Sequence, residues 1–243
     1  MAGDHGAAGP DDAPMTRTSR YAAYWAPARE HPLWRAGCDW LGRDPETGQP
    51  PASPRARRER AAHYGLHATL KAPRRLADGV DASTFIRTLA TLAHRSSAFD
   101  MPALGVVDWG GFVALRPIVA LPARHALRGL ADACVRELEP LCARPTAADA
   151  QARERAHRLD AGHRDHLGRW GYPFVLERWA FHVTLSDPQR GADAVSTARC
   201  LAHARRHFAA ALREPLRCEA VSVFEQRDRD TPFTLACRLP LGR

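Results

Sequence analysis

Apolar and polar residues alternate at two places in the chain that share one four-residue pattern. These are His67-Ala68-Thr69-Leu70 and His182-Val183-Thr184-Leu185. Successive side chains of a β-strand point to opposite faces, so His and Thr would share one face while the apolar residues meet a core. The pattern predicts strands at 65–72 and 180–185, each presenting an imidazole and a hydroxyl on its polar face.

The spacing of apolar residues elsewhere predicts further helices and strands. Helical spacing extends from Asp81 onward and over 122–138 and 193–212, and a short helix is expected at 33–41. Short apolar runs bounded by turn residues predict five more strands, at 21–26, 104–108, 112–115, 218–224 and 233–239. The polar segment 143–168 is expected to form a loop and an exposed helix, and is a candidate for a mobile cover.

The order of the predicted elements repeats along the chain. Each half runs motif strand, break, helix, strand, turn and strand, within 66–115 and again within 181–239. A strand–helix–strand–strand unit that occurs twice predicts an α+β fold of two ferredoxin-like lobes related by a pseudo-twofold axis. We expect one bilobal domain over 19–243 with a central cleft, its first motif lobe at about 60–120 and its second at about 175–243.

The composition is that of a globular protein without a membrane anchor. Apolar residues make up 45% of the 243 residues, and no apolar stretch is long enough to span a bilayer. Residues 1–18 are rich in Gly, Ala, Asp and Pro and are expected to form a disordered leader. The six cysteines lack metal-ligand spacing and are typical of free thiols, so we expect a cytoplasmic protein, and a monomer.

The formal net charge is +8, and Lys71 is the only lysine of the chain. A positive protein attracts phosphorylated ligands, including nucleic acid. The arginines are scattered along the sequence and do not mark a nucleic-acid surface. We therefore expect a small phosphorylated partner and keep RNA as the alternative.

Two His/Thr pairs in one cleft supply the groups that acid–base chemistry on a phosphate ester needs. Imidazole titrates near pH ~6.5, so a neutral ring can act as general base and a protonated ring as general acid. The hydroxyls of Thr69 and Thr184 can donate hydrogen bonds to phosphate oxygens. One His on a strand is more often an ordinary polar residue, but two in matching places favour catalysis by His67 and His182. A metal site is disfavoured, because Thr is a poor zinc ligand and no carboxylate recurs with the motifs.

Other residues are candidate substrate contacts that also have ordinary structural explanations. Lys71 lies two residues beyond Thr69 and would share its strand face, where it could reach a second phosphate; an exposed strand-end charge explains it equally well. The remaining candidates are the tyrosines Tyr24, Tyr64 and Tyr172, which core packing would also explain, and the anion binders Arg144 and Arg116.

Longer strings around the motifs resemble the two-histidine phosphoesterase superfamily. The sequence YGLHATLKAP at 64–73 resembles a signature of one branch, and WGYPFV at 170–175 resembles the second signature of that branch. The genes of this branch lie in phosphonate-degradation operons. The chain departs from it at Leu66 and Arg74, where the branch has aromatic residues, and the resemblance covers most of the chain.

The resemblance implies a metal-independent, cofactor-free phosphodiesterase that opens a small cyclic phosphate ester by His/His acid–base catalysis. The operon association implies a phosphorylated ribose 1,2-cyclic phosphate as the substrate, in phosphonate catabolism. An RNA or nucleotide 2′,3′-cyclic phosphodiesterase is the alternative within the same chemistry. A non-catalytic sensor of phosphate esters or nucleotides is the alternative outside it. The sequence leaves open which histidine is the base.

Overall fold

The structure is a computed structural model that describes residues 19–48, 57–188 and 194–243. The leader expected at 1–18 lies outside these residues. The strands within them are β1 (Arg20–Trp25), β2 (Ala68–Arg74), β3 (Phe99–Asp100), β4 (Leu104–Asp108), β5 (Val113–Pro117), β6 (Val183–Thr184), β7 (Arg217–Cys218), β8 (Ala220–Gln226) and β9 (Thr234–Pro240). The α-helices are α1 (Pro32–Leu41), α2 (Glu59–Tyr64), α3 (Ala82–His94), α4 (Ala126–Leu138), α5 (Ala147–Ala156), α6 (Ala161–Trp170) and α7 (Ala194–Phe208).

The described strands form two antiparallel sheets and one short pair. The first sheet has the order β2-β1-β8-β9, the second has the order β4-β5-β6, and β3 pairs with β7. The motif strands β2 and β6 lie at the edges of their sheets and contact each other. The predicted fold class, α+β with two lobes that meet at the motif strands, is confirmed.

Each sheet draws strands from both halves of the chain. The hairpin β4–β5 follows β2 in the sequence but pairs with β6, whereas the hairpin β8–β9 follows β6 and pairs with β1. The ranges expected for the two motif lobes, 60–120 and 175–243, each contribute strands to both sheets, which corrects that assignment. The order of elements could not reveal this, because it is the same whether a hairpin joins its own motif strand or the other one.

Helices cover the sheets and close a shared core. α3 and α4 pack on the first sheet, and α7 packs on the second. α3 begins where the sequence predicts, because the Asp81 carboxylate accepts a hydrogen bond from the N–H of Thr84. The buried apolar cluster includes Leu89 of α3, Leu70 of β2 and Val183 of β6. Each fully buried leucine in it contributes about 1.5–3 kcal/mol by leaving water.

Both motif strands begin one residue after their histidine. β2 is shifted from the predicted 65–72, and β6 is much shorter than the predicted 180–185. Beyond β6, the N–H groups of Leu185 and Ser186 both donate to the carbonyl of Val113, and the Ser186 hydroxyl accepts from the Val113 N–H. These bonds replace the regular ladder, so the second motif strand ends early.

The polar segment 143–168 forms most of two helices, α5 and α6. α5 buries none of its residues, and a reciprocal pair of hydrogen bonds between Thr146 and Asp149 caps its N-terminus. Among the described helices none has the length and apolar character needed to cross a bilayer.

Candidate active site

The two four-residue patterns keep the predicted alternation of burial. The apolar positions are fully buried, at Ala68, Leu70, Val183 and Leu185. The polar positions are partly exposed, at His67, Thr69, His182 and Thr184. The period of two therefore separates a core face from a polar face at both sheet edges.

The two imidazoles are held in the same way. Nδ1 of His67 lies 2.9 Å from the carbonyl oxygen of Gly65, and Nδ1 of His182 lies 2.9 Å from that of Ala180. A carbonyl oxygen only accepts, so each Nδ1 carries the proton and each neutral ring keeps a lone pair on Nε2. Neither Nε2 has a hydrogen-bond partner among the described residues, which leaves both atoms able to accept or deliver a proton.

Aromatic rings fix the plane of each imidazole. The His67 ring stacks on Tyr24, with centroids 3.8 Å apart and an interplanar angle of 25°. The His182 ring packs against Trp109 at 4.5 Å. Packing of this kind restricts ring rotation and removes water from one side of each imidazole.

The same packing favours the uncharged imidazoles. Burial lowers the pKa of His67 from 6.5 to about 4; the hydrogen bond to Gly65 opposes this shift, and the charge of His182 adds to it. Burial also lowers the pKa of His182, with the Ala180 carbonyl opposing and Arg116 contributing. Because His182 acts on His67, the rings lie within electrostatic range, and an anion bound between them would raise both pKa values.

A cavity of about 310 Å³ opens beside the motifs. Thr69 of the first motif and His182 of the second line it, whereas His67 and Thr184 are not among its lining residues. Five of its other lining residues are aromatic: Trp109, Phe112, Tyr172, Phe174 and Trp179. One polar group of each motif is thus exposed to a pocket with largely aromatic and aliphatic surroundings, to which His157 and Arg178 add polar groups.

A family model described as a protein of unknown function, DUF1045, matches residues 69–234. The chain belongs to the DUF1045 family. It is 36% identical over 228 residues to Ribose 1,5-bisphosphate phosphokinase PhnN of Laribacter hongkongensis (strain HLHK9), covering 90% of this chain and 51% of that protein. It is 33% identical over 248 residues to the protein of the same name in Janthinobacterium sp. (strain Marseille), covering 96% of this chain and 54% of that protein. The chain spans about half the length of these curated relatives.

Two solved structures show weak similarity to this DUF1045 chain. A structure of E. coli LigT complexed with NADP+ is 16% identical, with 94% of this chain and 100% of that chain covered and a TM-score of 0.44. A structure of a phosphoesterase is 18% identical, with 93% and 99% covered and a TM-score of 0.41. The fold described above rests on the strand order of the chain itself.

Lys71 does not lie with the motifs, contrary to the sequence-based expectation. The pairing of β1 with β2 shifts register twice: Tyr24 opposes Thr69, and Ala23 opposes Lys71. Such β-bulges change which residues share a face, and Lys71 points away from Thr69 toward α4. The ammonium group is buried, pairs with the carboxylate of Glu139 and donates to a carbonyl of α4. Lys71 is therefore a structural ion-pair residue, and the strand-face argument fails at the bulge.

The tyrosines and Arg144 divide between the site and its surroundings. Tyr172 lines the cavity of the motifs. Tyr64 is partly exposed, with its ring 5.9 Å from that of His67 and stacked on Phe233. Tyr24 is fully buried, so it supports the His67 ring and offers no open surface to a substrate. Arg144 is exposed and lines a separate cavity.

Two further residues reach the site. Trp109 packs on His182, although a tryptophan is most simply explained as a core residue. Two glycines follow it, which places it at the β4–β5 turn, and this position was the sequence signal that it could lie outside the core. Arg116 lies with its guanidinium 4.4 Å from the Trp109 ring centroid, and its buried Nε has no hydrogen-bond partner among the described residues. An orphaned donor beside a histidine is suited to an anion.

Proposed function

We propose that this chain is a metal-independent phosphodiesterase that opens a small cyclic phosphate ester. The observation that carries the proposal is the matched setting of the two imidazoles. Each ring is fixed at Nδ1 by a carbonyl two residues earlier, and each leaves Nε2 without a partner among the described residues. A partly exposed threonine follows each histidine two positions later. Paired imidazoles of this kind can act as base and acid in one displacement at phosphorus.

His67 is the base and His182 the acid in this scheme. Nε2 of His67 takes a proton from water, and the water oxygen forms a bond to phosphorus. The ring ester bond breaks, and the departing sugar oxygen takes a proton from Nε2 of His182. His67 suits the base because its pKa falls to about 4. The negative charge of a bound ester would raise the pKa of His182, so that this ring carries the proton that it donates.

The remaining polar groups would stabilise the charge that grows on phosphorus. The hydroxyls of Thr69 and Thr184 would donate to the two non-bridging oxygens, and Arg116 would add a positive charge on the His182 side. Donors placed before the reaction need no reorganisation during it, which is how fixed dipoles lower a barrier.

The curated relatives support a ribose substrate. They are named for phosphorylation of ribose 1,5-bisphosphate, and this chain corresponds to about half of each. The chain has no Gly-x-x-x-x-Gly-Lys-Ser/Thr phosphate loop, since its only lysine follows Leu70. We therefore assign the named phosphotransfer to the other half of those proteins, and to this chain a reaction that feeds it.

Ring opening of ribose 1,2-cyclic phosphate 5-phosphate is such a reaction. Cleavage of the phosphorus–O2 bond leaves the phosphate on O1 and gives ribose 1,5-bisphosphate. Cleavage of the phosphorus–O1 bond would give the 2,5-bisphosphate instead. The first outcome matches the substrate in the name of the relatives.

The test follows phosphate-ester opening by phosphorus NMR, with protein prepared and assayed in a chelator. Wild type is expected to convert the cyclic ester, and the spectrum identifies which bond breaks. His67→Ala and His182→Ala should each lower kcat by at least about 100-fold, the lower end for loss of a general acid or base. Full activity in either variant would overturn the mechanism, and tight binding without turnover by wild type would favour a sensor.

The aromatic walls of the cavity favour a second candidate, a nucleoside 2′,3′-cyclic phosphate. Bases stack on such rings without regard to sequence. A higher kcat/KM for 2′,3′-cyclic nucleotides than for the ribose ester would select this candidate.

A further inference from the structure

A second cavity, of about 410 Å³, is lined by the end of β2, by α5 and by the turn between β8 and β9. Seven arginines line it, against one carboxylate, that of Asp149. An excess of guanidinium groups in one concavity creates a strongly positive potential.

Most of these arginines lack a counter-charge. Arg229 pairs with Asp149 at 3.0 Å, and Arg74 pairs with Glu139. The other five form no ion pair among the described residues: Arg20, Arg60, Arg75, Arg144 and Arg153. Like charges brought together repel, and an anion among them would remove that repulsion.

The arginine cavity adjoins the cavity of the motifs. His157 lines both. The guanidinium of Arg153 lies 4.6 Å from the ring centroid of Tyr172, which lines the motif cavity. The charges of Arg20 and Arg153 also act on the hydroxyl of Tyr24, whose ring stacks on that of His67. The two cavities are therefore neighbours, and a ligand bound in the motif cavity beside His182 lies next to the arginine cavity.

We propose that the arginine cavity binds a second phosphate group of the substrate, the 5-phosphate of the cyclic ribose ester. The inference rests on the proposed function and adds the recognition of a doubly phosphorylated substrate. Guanidinium groups bind phosphate through paired N–H donors. Five uncompensated arginines that converge on one cavity suit a single compact phosphate better than an extended nucleic-acid backbone.

Helix α5 forms one wall of the cavity. α5 buries no residue, and Asp149 and Arg153 tie it to the β8–β9 turn and to Tyr172. A helix without a buried face gains little from core packing. A phosphate bound by Arg153 would therefore add to the contacts that hold α5 over the site.

A matched pair of substitutions on α5 tests the proposal. Arg153 lines the cavity, whereas Arg155 is exposed on the same helix and lines neither cavity. Arg153→Gln and Arg155→Gln remove the same charge. Each protein is assayed on ribose 1,2-cyclic phosphate with and without the 5-phosphate. Binding of ribose 5-phosphate is measured separately by calorimetry, which does not depend on turnover.

Wild type should have a higher kcat/KM for the 5-phosphorylated ester than for the ester without the 5-phosphate. Arg153→Gln should raise the KM for the 5-phosphorylated ester about tenfold or more, as expected for loss of one charge-assisted contact. The same variant should change kcat/KM for the ester without the 5-phosphate several-fold less than for the 5-phosphorylated ester, and Arg155→Gln should leave both values unchanged. Turnover of both esters with no preference would overturn the cavity assignment but keep the proposed function. If neither ester is turned over but ribose 5-phosphate binds in a way that depends on Arg153, the proposed function is overturned and the cavity assignment is kept. Competition by short RNA at lower concentration than ribose 5-phosphate would also overturn the assignment.

Discussion

At the residue scale, the site depends on how each histidine is oriented and desolvated. The carbonyls of Gly65 and Ala180 fix the tautomers, and aromatic rings fix the planes. The sequence predicted the residue types and their shared face, because i and i+2 positions of a strand point the same way. It could not predict the packing of Trp109 on His182, which depends on a turn that approaches from another part of the chain.

The lowered pKa values give a prediction for the pH dependence of the reaction. kcat/KM should rise with pH as His67 loses its proton near about 4, because only the neutral ring can act as base. kcat/KM should fall again as His182 loses its proton. This fall should begin below pH 6.5, because the pKa of His182 is also lowered from that value. The optimum is therefore on the acidic side of neutral.

The measurement is kcat/KM of wild type across the range in which the protein stays folded, checked by circular dichroism. A rate constant that keeps rising above pH 7 would contradict the assignment of His182 as the acid in the free enzyme.

At the element scale, the register of β2 decides which side chains face the site. Strict alternation predicted that Thr69 and Lys71 share a face, and this prediction was wrong because a register shift lies between them. Arg74 joins Lys71 on the helix side, where both reach Glu139. Bulges leave no clear mark in a single sequence. Most of β2 was therefore predicted as a strand, whereas the direction of the side chains after Thr69 was not predicted.

The Lys71–Glu139 pair predicts an asymmetric response to substitution. Glu139→Gln leaves the ammonium group buried and unpaired, so the free energy of unfolding should fall by about 3 kcal/mol. Lys71→Met removes the buried charge itself and leaves Glu139 paired with Arg74. Its cost should be smaller, under about 1.5 kcal/mol.

Urea denaturation of both variants, with kcat measured well below the transition, checks the order. Lys71→Met is expected to keep the kcat and KM of wild type. A rise in KM for the phosphate ester with an intact fold would return Lys71 to the site.

At the scale of the whole molecule, the two sheets are interleaved along the chain. The hairpin β8–β9 completes the sheet of the first motif, and the hairpin β4–β5 completes that of the second. Each motif strand lies at the edge of a sheet that contains strands from the other half of the chain. Folding must therefore bring distant segments together, which raises its loop-closure cost.

The interleaving predicts how separated halves behave. Fragments 19–142 and 143–243 should each lack a cooperative unfolding transition and dispersed amide signals, since each lacks strands of both sheets. Mixing or co-expressing them should recover the dispersed spectrum. Either fragment folding alone, with a cooperative transition, would show that the lobes are consecutive units after all.

By itself the sequence determined most of the strands and helices, the α+β class and the two His/Thr pairs. These follow from local periods of apolar residues and from residue chemistry. Only the tertiary structure decided which hairpin joins which motif strand, where Lys71 points, and how five arginines far apart in the sequence come to line one cavity. Strand pairing and bulges depend on contacts between distant segments, and such contacts produce no periodic pattern of apolar residues in the sequence.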